Sequence, residues 1–395
     1  MNPKLTGGSL LIAGTALGAG MLAIPMVLAQ FGLLWGTLLM LVIWFGTSYA
    51  ALLLLEATIK SGEAMSESDG GLGMNSIARK TIGKSGQLLT NSLLYCLVIC
   101  LMIAYIVSAA DLLQQVLHNY AIELGLVDCQ VIFTFVAGFF VAQGTASVDK
   151  LNRILFFMML TVLVISLIYL LPNISFDNLH MISGGNQVEL LKNSAVLFTS
   201  FGFVVVIPTV VKYNNTASYK QLRDMVLIGS AIPLFCYLLW LYAVVGNLPA
   251  DQLVTFSNVS ELIAVLAQRY ANLELILSLF TGLALLTSFL GVAMSLFDQN
   301  SDLFKKNKLM TFVLTFLLPL MGALWAKEQF ISVLGYAGII LVFLAVFVPM
   351  AMVLKVRSSA FDGLLEGGHY QAAGGRLALL ASFAFGSFLL LTQLM

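Results

Sequence analysis

The sequence predicts an all-α, polytopic membrane protein of about eleven transmembrane helices, and three observations lead to this fold class. The 395 residues are 60% hydrophobic, with a mean hydropathy of +0.98. Only 10% are charged, against about 25% in a soluble domain, so a water-soluble fold could not cover its surface. The apolar residues come in runs long enough to span a bilayer as helices, without the alternation of a membrane β-barrel.

Eleven apolar runs follow one another along the chain. The first is long enough to span and carries little positive charge ahead of it, so we expect a span there and not a cleavable signal peptide. The runs cover residues 5–30, 33–58, 87–116, 127–144, 151–171, 191–211, 223–246, 272–297, 309–325, 329–354 and 375–395.

The basic residues predict the orientation. With the N-terminus in the cytoplasm, 16 of the 19 Lys and Arg residues lie on the inside, as the positive-inside rule requires. Only Lys192, Arg269 and Lys327 lie outside. We therefore expect a cytoplasmic N-terminus, an external C-terminus and an odd number of spans. The external connection 247–272 contains SELIAVLAQRY, whose spacing predicts a helix lying across the outer face.

Composition and motifs exclude several classes of function. The net charge of zero gives no indication of a nucleic-acid partner. None of the three histidines falls in a predicted span, and no acidic pair has ligand spacing. We therefore expect no metal site, no cofactor and no membrane-embedded enzyme, which would need a nucleophile–base pair or a metal cluster within the spans.

The first span is interrupted by glycine. Residues 14–20 read GTALGAG in the middle of an apolar run, where each glycine costs roughly 1 kcal/mol relative to alanine. Gly14 and Gly18 form a GxxxG pattern, which allows close helix packing, and isolated glycines are common in membrane helices. The alternative is a break in the helix, followed by a new half-helix from Gly20.

The sixth span carries a matching break. Ser200-Phe201-Gly202 lies at midspan, and Ile207-Pro208 follows it as Ile24-Pro25 follows the first break. The two spans run in opposite directions across the membrane. Paired broken helices of opposite direction indicate an inverted-repeat transporter with its site at the bilayer midplane, and they favour alternating access over a channel, which would show a polar ring or a re-entrant filter.

Backbone chemistry predicts what such a site binds. The half-helix from Gly20 presents free N–H groups, which suit a carboxylate. The first half of the sixth span ends near Ser200 with free carbonyls, which suit an ammonium. Pro25 and Pro208 have no N–H, so the carbonyls of Met21 and Val204 are expected to lack their helical partners. The spacing predicts a site in which backbone groups alone hold a zwitterion.

At this point the sequence resembles a known family over essentially its whole length. It is similar to the bacterial hydroxy/aromatic amino acid permeases of the amino acid–polyamine–organocation superfamily, and most closely to the tyrosine-specific permeases. The residues that carry the resemblance are GGSLLIAGTALGAGMLAIP (7–25), LLLLEA (52–57), AYIVSAADLL (104–113), LFTSFGF (197–203), IGSAIPL (228–234) and LTSFLGVAMSLFD (286–298).

The resemblance implies a LeuT-type fold in one transporter domain, with five-plus-five inverted helices and an eleventh added. The repeats would cover 5–171 and 191–354, and the extra helix 375–395. It implies import of an aromatic amino acid, L-tyrosine first, by proton symport across the bacterial inner membrane. One departure is clear: the family commonly has His-Gly after the aromatic of the second break, where this chain has Val204-Val205.

Candidate site residues follow from these observations. An aromatic substrate would stack on Phe residues at the second break. The alternative for each of these residues is a core or lipid-facing aromatic. Tyr residues on the third span are further candidates. The candidate substrate site comprises Gly14, Thr15, Ala16, Gly18, Ala19, Gly20, Phe198, Ser200, Phe201, Gly202, Phe203, Tyr95 and Tyr105.

The coupling ion has two candidate sites. Thr287 and Ser288 of the eighth span either bond to their own helix or, as in sodium-coupled relatives of this fold, ligate an ion opposite the first break. Lys150 and Arg153 either anchor the fifth span at the cytoplasmic face or reach inward to the ion position. The alternative function is a sodium-coupled symporter of tryptophan, serine or threonine.

Overall fold

A computed structural model describes residues 3–28, 32–63, 73–180, 191–192, 194–253, 256, 258–268, 273–303, 307–326, 329–358 and 370–393. Helices dominate these ranges, and none of them contains a β-strand. The all-α prediction is therefore confirmed for the part of the chain that the structure describes. Among the basic residues used for the orientation, Arg269, Lys305, Lys306 and Lys327 lie outside it.

The helices follow the chain in this order. They are α1 (Pro3–Ala16), α2 (Gly20–Leu28), α3 (Gly32–Glu63), α4 (Met74–Asn119), α5 (Leu126–Ala142), α6 (Thr145–Leu170), α7 (Phe176–His180), α8 (Ser194–Ser200), α9 (Ile207–Tyr213), α10 (Tyr219–Asn247), α11 (Ala250–Leu253), α12 (Val259–Ala267), α13 (Leu273–Leu303), α14 (Lys308–Ala326), α15 (Phe330–Val342), α16 (Val348–Val356) and α17 (Gly375–Leu391).

Each predicted apolar run coincides with a helix or a pair of helices. Within the described residues, eight continuous or interrupted segments are long and apolar enough to cross a bilayer, and the bent pair α1–α2 adds a ninth. The two remaining runs form α5 and α17, each of 17 residues, at the lower limit for a span. The described part of the chain thus supports eight to nine candidate spans, and the number eleven stays a prediction. The helix predicted for SELIAVLAQRY is present as α12, and its external location stays a prediction.

Two local features shape the long helices. Gly83 interrupts α4 with φ of 81°, a left-handed conformation that glycine adopts without a steric penalty. This separates the start of α4 from its apolar part. Phe343–Phe347 form a π-helical turn between α15 and α16, so the apolar segment from Phe330 to Val356 is continuous but locally widened.

The helices around the two breaks pack against one another. α1 lies along α10, and α2 lies against α8. α13 contacts both α4 and α6, and α15 contacts α4 and α8. The two interrupted segments therefore meet at the centre of a bundle whose outer helices shield them, as non-helical backbone at membrane depth requires.

A buried ion cluster joins the ends of α3 and α16. Glu56 is fully buried. Arg357 donates from Nε to Glu56 Oε1 at 2.8 Å and from Nη2 to Oε2 at 2.6 Å. Lys60 Nζ lies 3.5 Å from Oε1, and the Ala372 amide donates to Oε2 at 2.9 Å. The carboxylate thus fixes the segment that leads into α17 against the helix ends.

Replacing Arg357 with glutamine should destabilise the protein strongly. The substitution removes the bidentate partner of a buried carboxylate, and the loss of one partner of a buried pair costs about 3–5 kcal/mol. The measurement is thermal unfolding of the detergent-solubilised protein.

The matched control for this prediction is Arg153→Gln. Arg153 pairs with Asp149 at 2.8 Å, but the two side chains are 74% and 59% exposed, and exposed pairs contribute about 0–1 kcal/mol. Equal shifts in melting temperature for the two variants would contradict a structural role for the Glu56 cluster.

Candidate functional site at the two helix breaks

The first break separates α1 from α2, whose axes differ by 57°. The Met21 amide donates to the Gly18 carbonyl at 3.2 Å, and the Leu22 amide to the Ala19 carbonyl at 3.1 Å, so α2 starts with tight three-residue turns. The described residues provide no acceptor for the amides of Gly18 and Gly20. The predicted restart at Gly20 is confirmed, and two N–H donors lie at the break.

The second break follows α8. Phe201 leaves the helix with φ of −97° and ψ of 35°, and Gly202–Val206 form a 3-10 turn before α9. The expectation that Pro208 deprives the Val204 carbonyl of a partner is wrong. Because the turn is 3-10 and not α, the Ile207 amide donates to the Val204 carbonyl and replaces the bond that the proline cannot make.

Gly18 and Gly20 are needed for space and not for backbone conformation. Neither has a positive φ. A Cβ at Gly18 would overlap Ser288 Oγ, and a Cβ at Gly20 would lie 2.9 Å from Ser200 Cα. Gly14 differs, since a Cβ there would meet the Phe156 ring at an ordinary 3.4 Å. The glycines at the break therefore let two other helices approach the unwound backbone.

A buried tyrosine connects the two breaks. The Tyr237 hydroxyl of α10 lies 2.5 Å from the Ala16 carbonyl and 2.7 Å from the Ser200 carbonyl. Ala16 is the last residue of α1, and Ser200 is the last residue of α8. Ser200 Oγ in turn donates to the Gly20 carbonyl at 2.9 Å. The expectation of free terminal carbonyls near Ser200 is therefore wrong in part, because the single proton of the Tyr237 hydroxyl is shared between the Ser200 and Ala16 carbonyls.

Ser288 of α13 lies on the amide side of the first break. Its Oγ accepts from the Ala19 amide at 3.0 Å, and the Tyr105 hydroxyl lies near it. The neighbouring Thr287 instead donates to the carbonyls of Leu283 and Ala284 in its own helix. Of the two hydroxyls, the structure brings only Ser288 to the break.

The predicted aromatic residues separate into two groups. Phe201 packs its edge against the Tyr237 ring, with centroids 5.1 Å apart, so it lies at the second break. Phe198 packs against Phe385 of α17 at 6.0 Å, away from the break. Phe203 is fully buried in the core.

Several other predicted residues lie elsewhere. Thr15 is exposed and donates to the Leu11 carbonyl. Tyr95 donates to Asn300 at 3.0 Å, about 15 Å along α4 from Tyr105 at 1.5 Å per residue. Lys150 and Arg153 are exposed at the start of α6, and the structure does not bring them to the breaks.

Tyr237 is the residue that sequence reasoning missed. It is one of 12 tyrosines, and it lies in an apolar run with no glycine or charged residue beside it. Its contacts with Ala16 and Ser200 are 221 and 37 residues away in sequence, so no local pattern could have identified it.

The site offers hydrogen bonds without side-chain charge. The Gly18 and Gly20 amides are donors, the Ala16 and Ser200 carbonyls are acceptors, and hydroxyl groups lie on both sides. Among the described residues, no group of three or more His, Cys, Asp or Glu side chains comes together as in a metal site. The arrangement can hold a small molecule that has both an anionic and a cationic group.

Gly18→Ala should destabilise the protein and Gly14→Ala should not. The added methyl group at position 18 overlaps Ser288 Oγ, and overpacking of this kind costs about 1–3 kcal/mol. The measurement is the melting temperature in detergent.

The double variant Gly18→Ala/Ser288→Ala identifies the cause of that loss. Ser288 Cβ lies 3.7 Å from the position of the new methyl group, so removal of Oγ leaves an ordinary contact. We expect the double variant to be more stable than Gly18→Ala alone, although the bond to the Ala19 amide is lost. A double variant that is no more stable would show that the close approach to Ser288 is not the constraint.

Comparison with known proteins identifies the family of the chain. Residues 1–393 match the Tryptophan/tyrosine permease family. The chain is 52% identical to Glutamine transporter 2 of Aliivibrio fischeri over all of both chains. It is 36% identical to Tyrosine-specific transport system 1 of Haemophilus influenzae, over 97% of this chain and 94% of that one. A Tryptophan-specific transport protein of the same organism is 29% identical, over 100% and 96%. The chain therefore belongs to the tryptophan/tyrosine permease family of bacterial multi-pass amino acid transporters, and it is not an enzyme.

Proposed function

We propose that this permease imports a neutral L-amino acid by ion symport across the bacterial inner membrane, with the zwitterion of the substrate held between the two helix breaks. The observation that carries the proposal is the convergence of the breaks. The Tyr237 hydroxyl joins the Ala16 and Ser200 carbonyls, and Ser200 Oγ donates to the Gly20 carbonyl. The amides of Gly18 and Gly20, which have no acceptor among the described residues, belong to the same segment. The amides suit the carboxylate, and the carbonyls suit the ammonium.

L-Glutamine is the first candidate substrate and L-tyrosine the second. The relative with 52% identity over the full length is named a glutamine transporter, whereas the relative with 36% identity is named tyrosine-specific. The hydroxyls of Tyr105 and Ser288 near the first break can both donate to and accept from a carboxamide. The edge of Phe201 supports the aromatic alternative, in which a tyrosine ring stacks at the second break.

The proton is the proposed coupling ion, as the family resemblance implies. Each positive charge moved inward gains about 2.3 kcal/mol per 100 mV, which supports roughly 40-fold accumulation. The alternative is sodium, with Thr287 and Ser288 as ligands, transporting tryptophan, serine or threonine. Lys150 and Arg153 act as cytoplasmic anchors in both versions, because both are exposed at the start of α6.

The proposed architecture is one transporter domain with an inverted repeat. The repeats cover 5–171 and 191–354, 375–395 forms the added helix, the N-terminus is cytoplasmic and the C-terminus is periplasmic. The restart of α2 at one break and the end of α8 at the other support the repeat, since the contact of Gly20 with Ser200 joins corresponding points of the two interrupted spans.

Uptake into proteoliposomes tests substrate and coupling together. We expect labelled L-glutamine to accumulate when an inward proton gradient is imposed without sodium, and unlabelled L-tyrosine, L-tryptophan, L-phenylalanine, L-serine and L-threonine to compete more weakly. Liposomes without protein are the control.

The other outcomes redirect the proposal. Strong competition by tyrosine alone would make tyrosine the substrate, and accumulation only with a sodium gradient would assign coupling to sodium. Accumulation of no amino acid under either gradient would contradict the proposed function.

A further inference from the structure

We propose that the Tyr237 hydroxyl is a displaceable occupant of the ammonium position, so that Tyr237 selects substrates for their α-amino group. This inference rests on the proposed function, because it names a selecting residue within the same site. The hydroxyl lies within hydrogen-bond distance of both carbonyls that end α1 and α8 and donates to one of them at a time. The substrate ammonium takes over both carbonyls when it binds.

The number of protons is the first argument. A phenol has one O–H donor, yet the Tyr237 oxygen lies 2.5 Å from one carbonyl and 2.7 Å from the other. It can donate to only one of them at a time. An ammonium has three N–H donors and can satisfy both carbonyls together. Tyr237 therefore leaves one buried carbonyl without a hydrogen-bond donor. This unsatisfied acceptor favours replacement of the hydroxyl by the ammonium.

The position of the carbonyls is the second argument. Ala16 and Ser200 are the last residues of their helices, so their carbonyls lie at the negative ends of two helix dipoles. Such ends stabilise a cation and give a neutral hydroxyl no comparable gain. The same two groups therefore bind an ammonium more strongly than they bind the phenol.

The helix that carries Tyr237 has a place to bend. Pro233 lies inside α10, one turn before Tyr237. It has no N–H to donate to the Gly229 carbonyl, so the helix lacks one backbone hydrogen bond there. Gly229, one turn earlier, packs tightly on α1, where a Cβ would lie 2.8 Å from the Ser9 carbonyl and from Ile12 Cβ. The start of α10 is thus held against α1, while the part that carries Tyr237 can pivot at Pro233.

The exchange predicts an unusual effect of a simple substitution. Tyr237→Phe keeps the ring that packs on Phe201 and removes the group that competes with the substrate. We expect the variant to bind L-glutamine, or L-tyrosine if uptake identifies that substrate, roughly 3- to 10-fold more tightly, the equivalent of one neutral hydrogen bond. Equilibrium binding to the purified protein measures this change.

The matched control is Tyr242→Phe, on the same helix. The Tyr242 hydroxyl lies 3.4 Å from Thr37 Oγ1 and has no contact with either break, so its removal should leave affinity unchanged. Equal or weaker binding by Tyr237→Phe relative to the unaltered protein would overturn the inference, since a purely structural clamp would weaken the site when it is removed.

A measurement on the unaltered sequence covers the case in which Tyr237→Phe does not fold. Fluorine NMR of protein that contains 3-fluorotyrosine reports on each phenol, with Tyr237 assigned from spectra of conservative variants at the other tyrosines. L-Glutamine should shift the Tyr237 signal, whereas 4-carbamoylbutanoate, which lacks only the amino group, should not.

The outcomes separate the two proposals. If no amino acid binds or is transported, the proposed function fails. If L-glutamine or L-tyrosine binds and the Tyr237 signal does not move, or moves equally with the analogue without the amino group, only the role of Tyr237 fails.

Discussion

The need to satisfy interrupted backbone inside the membrane is the constraint on which the rest of this structure depends. Two helices stop and restart within apolar segments, and each unpaired backbone group there costs several kcal/mol in hydrocarbon. The protein meets this cost with hydroxyl groups from two other helices: Tyr237 at the carbonyl ends and Ser288 at the Ala19 amide. Charged side chains take no part in these bonds, so the proposed recognition of a zwitterion rests on backbone groups.

Close approach makes these bonds possible, and glycine makes the close approach possible. Gly18 allows Ser288 to reach the unwound segment, and Gly20 allows the end of α8 to touch the start of α2. The backbone at these positions is ordinary for any residue, since neither glycine has a positive φ. A side chain at either position would separate the helices and with them the donors and acceptors of the site. The free energy that glycine costs within a helix is thus offset by contacts between helices.

Much of this arrangement could be predicted from the sequence, because it depends on local signals. Apolar runs predict the helices, and the small residues at 14–20 and 200–202 predict the breaks. The Val204 carbonyl was not predictable, since the effect of Pro208 depends on whether the preceding turn is α or 3-10. Tyr237 and the Glu56–Arg357 pair were not predictable for a different reason. Tyr237 is 221 residues from Ala16, and Arg357 is 301 residues from Glu56. No sequence periodicity relates residues on different helices.

The residues of the candidate site could be predicted better where they contribute backbone groups than where they contribute side chains. Gly18, Ala19, Gly20 and Ser200 come together as expected, whereas Tyr95 and Phe198 point to other partners, because helical spacing alone does not say which neighbour a side chain meets. The choice between a carboxamide and a phenol as the substrate side chain depends on such neighbours. The side-chain preference therefore follows less directly from sequence than the proposed backbone contacts with the α-amino and carboxylate groups.

The most direct test of this account is an experimentally determined structure of the permease with its transported amino acid bound. The account predicts the carboxylate within hydrogen-bond distance of the Gly18 and Gly20 amides and the ammonium at the carbonyls of Ala16 and Ser200. An amino acid bound elsewhere in the bundle, with both breaks closed by protein hydroxyls alone, would contradict it.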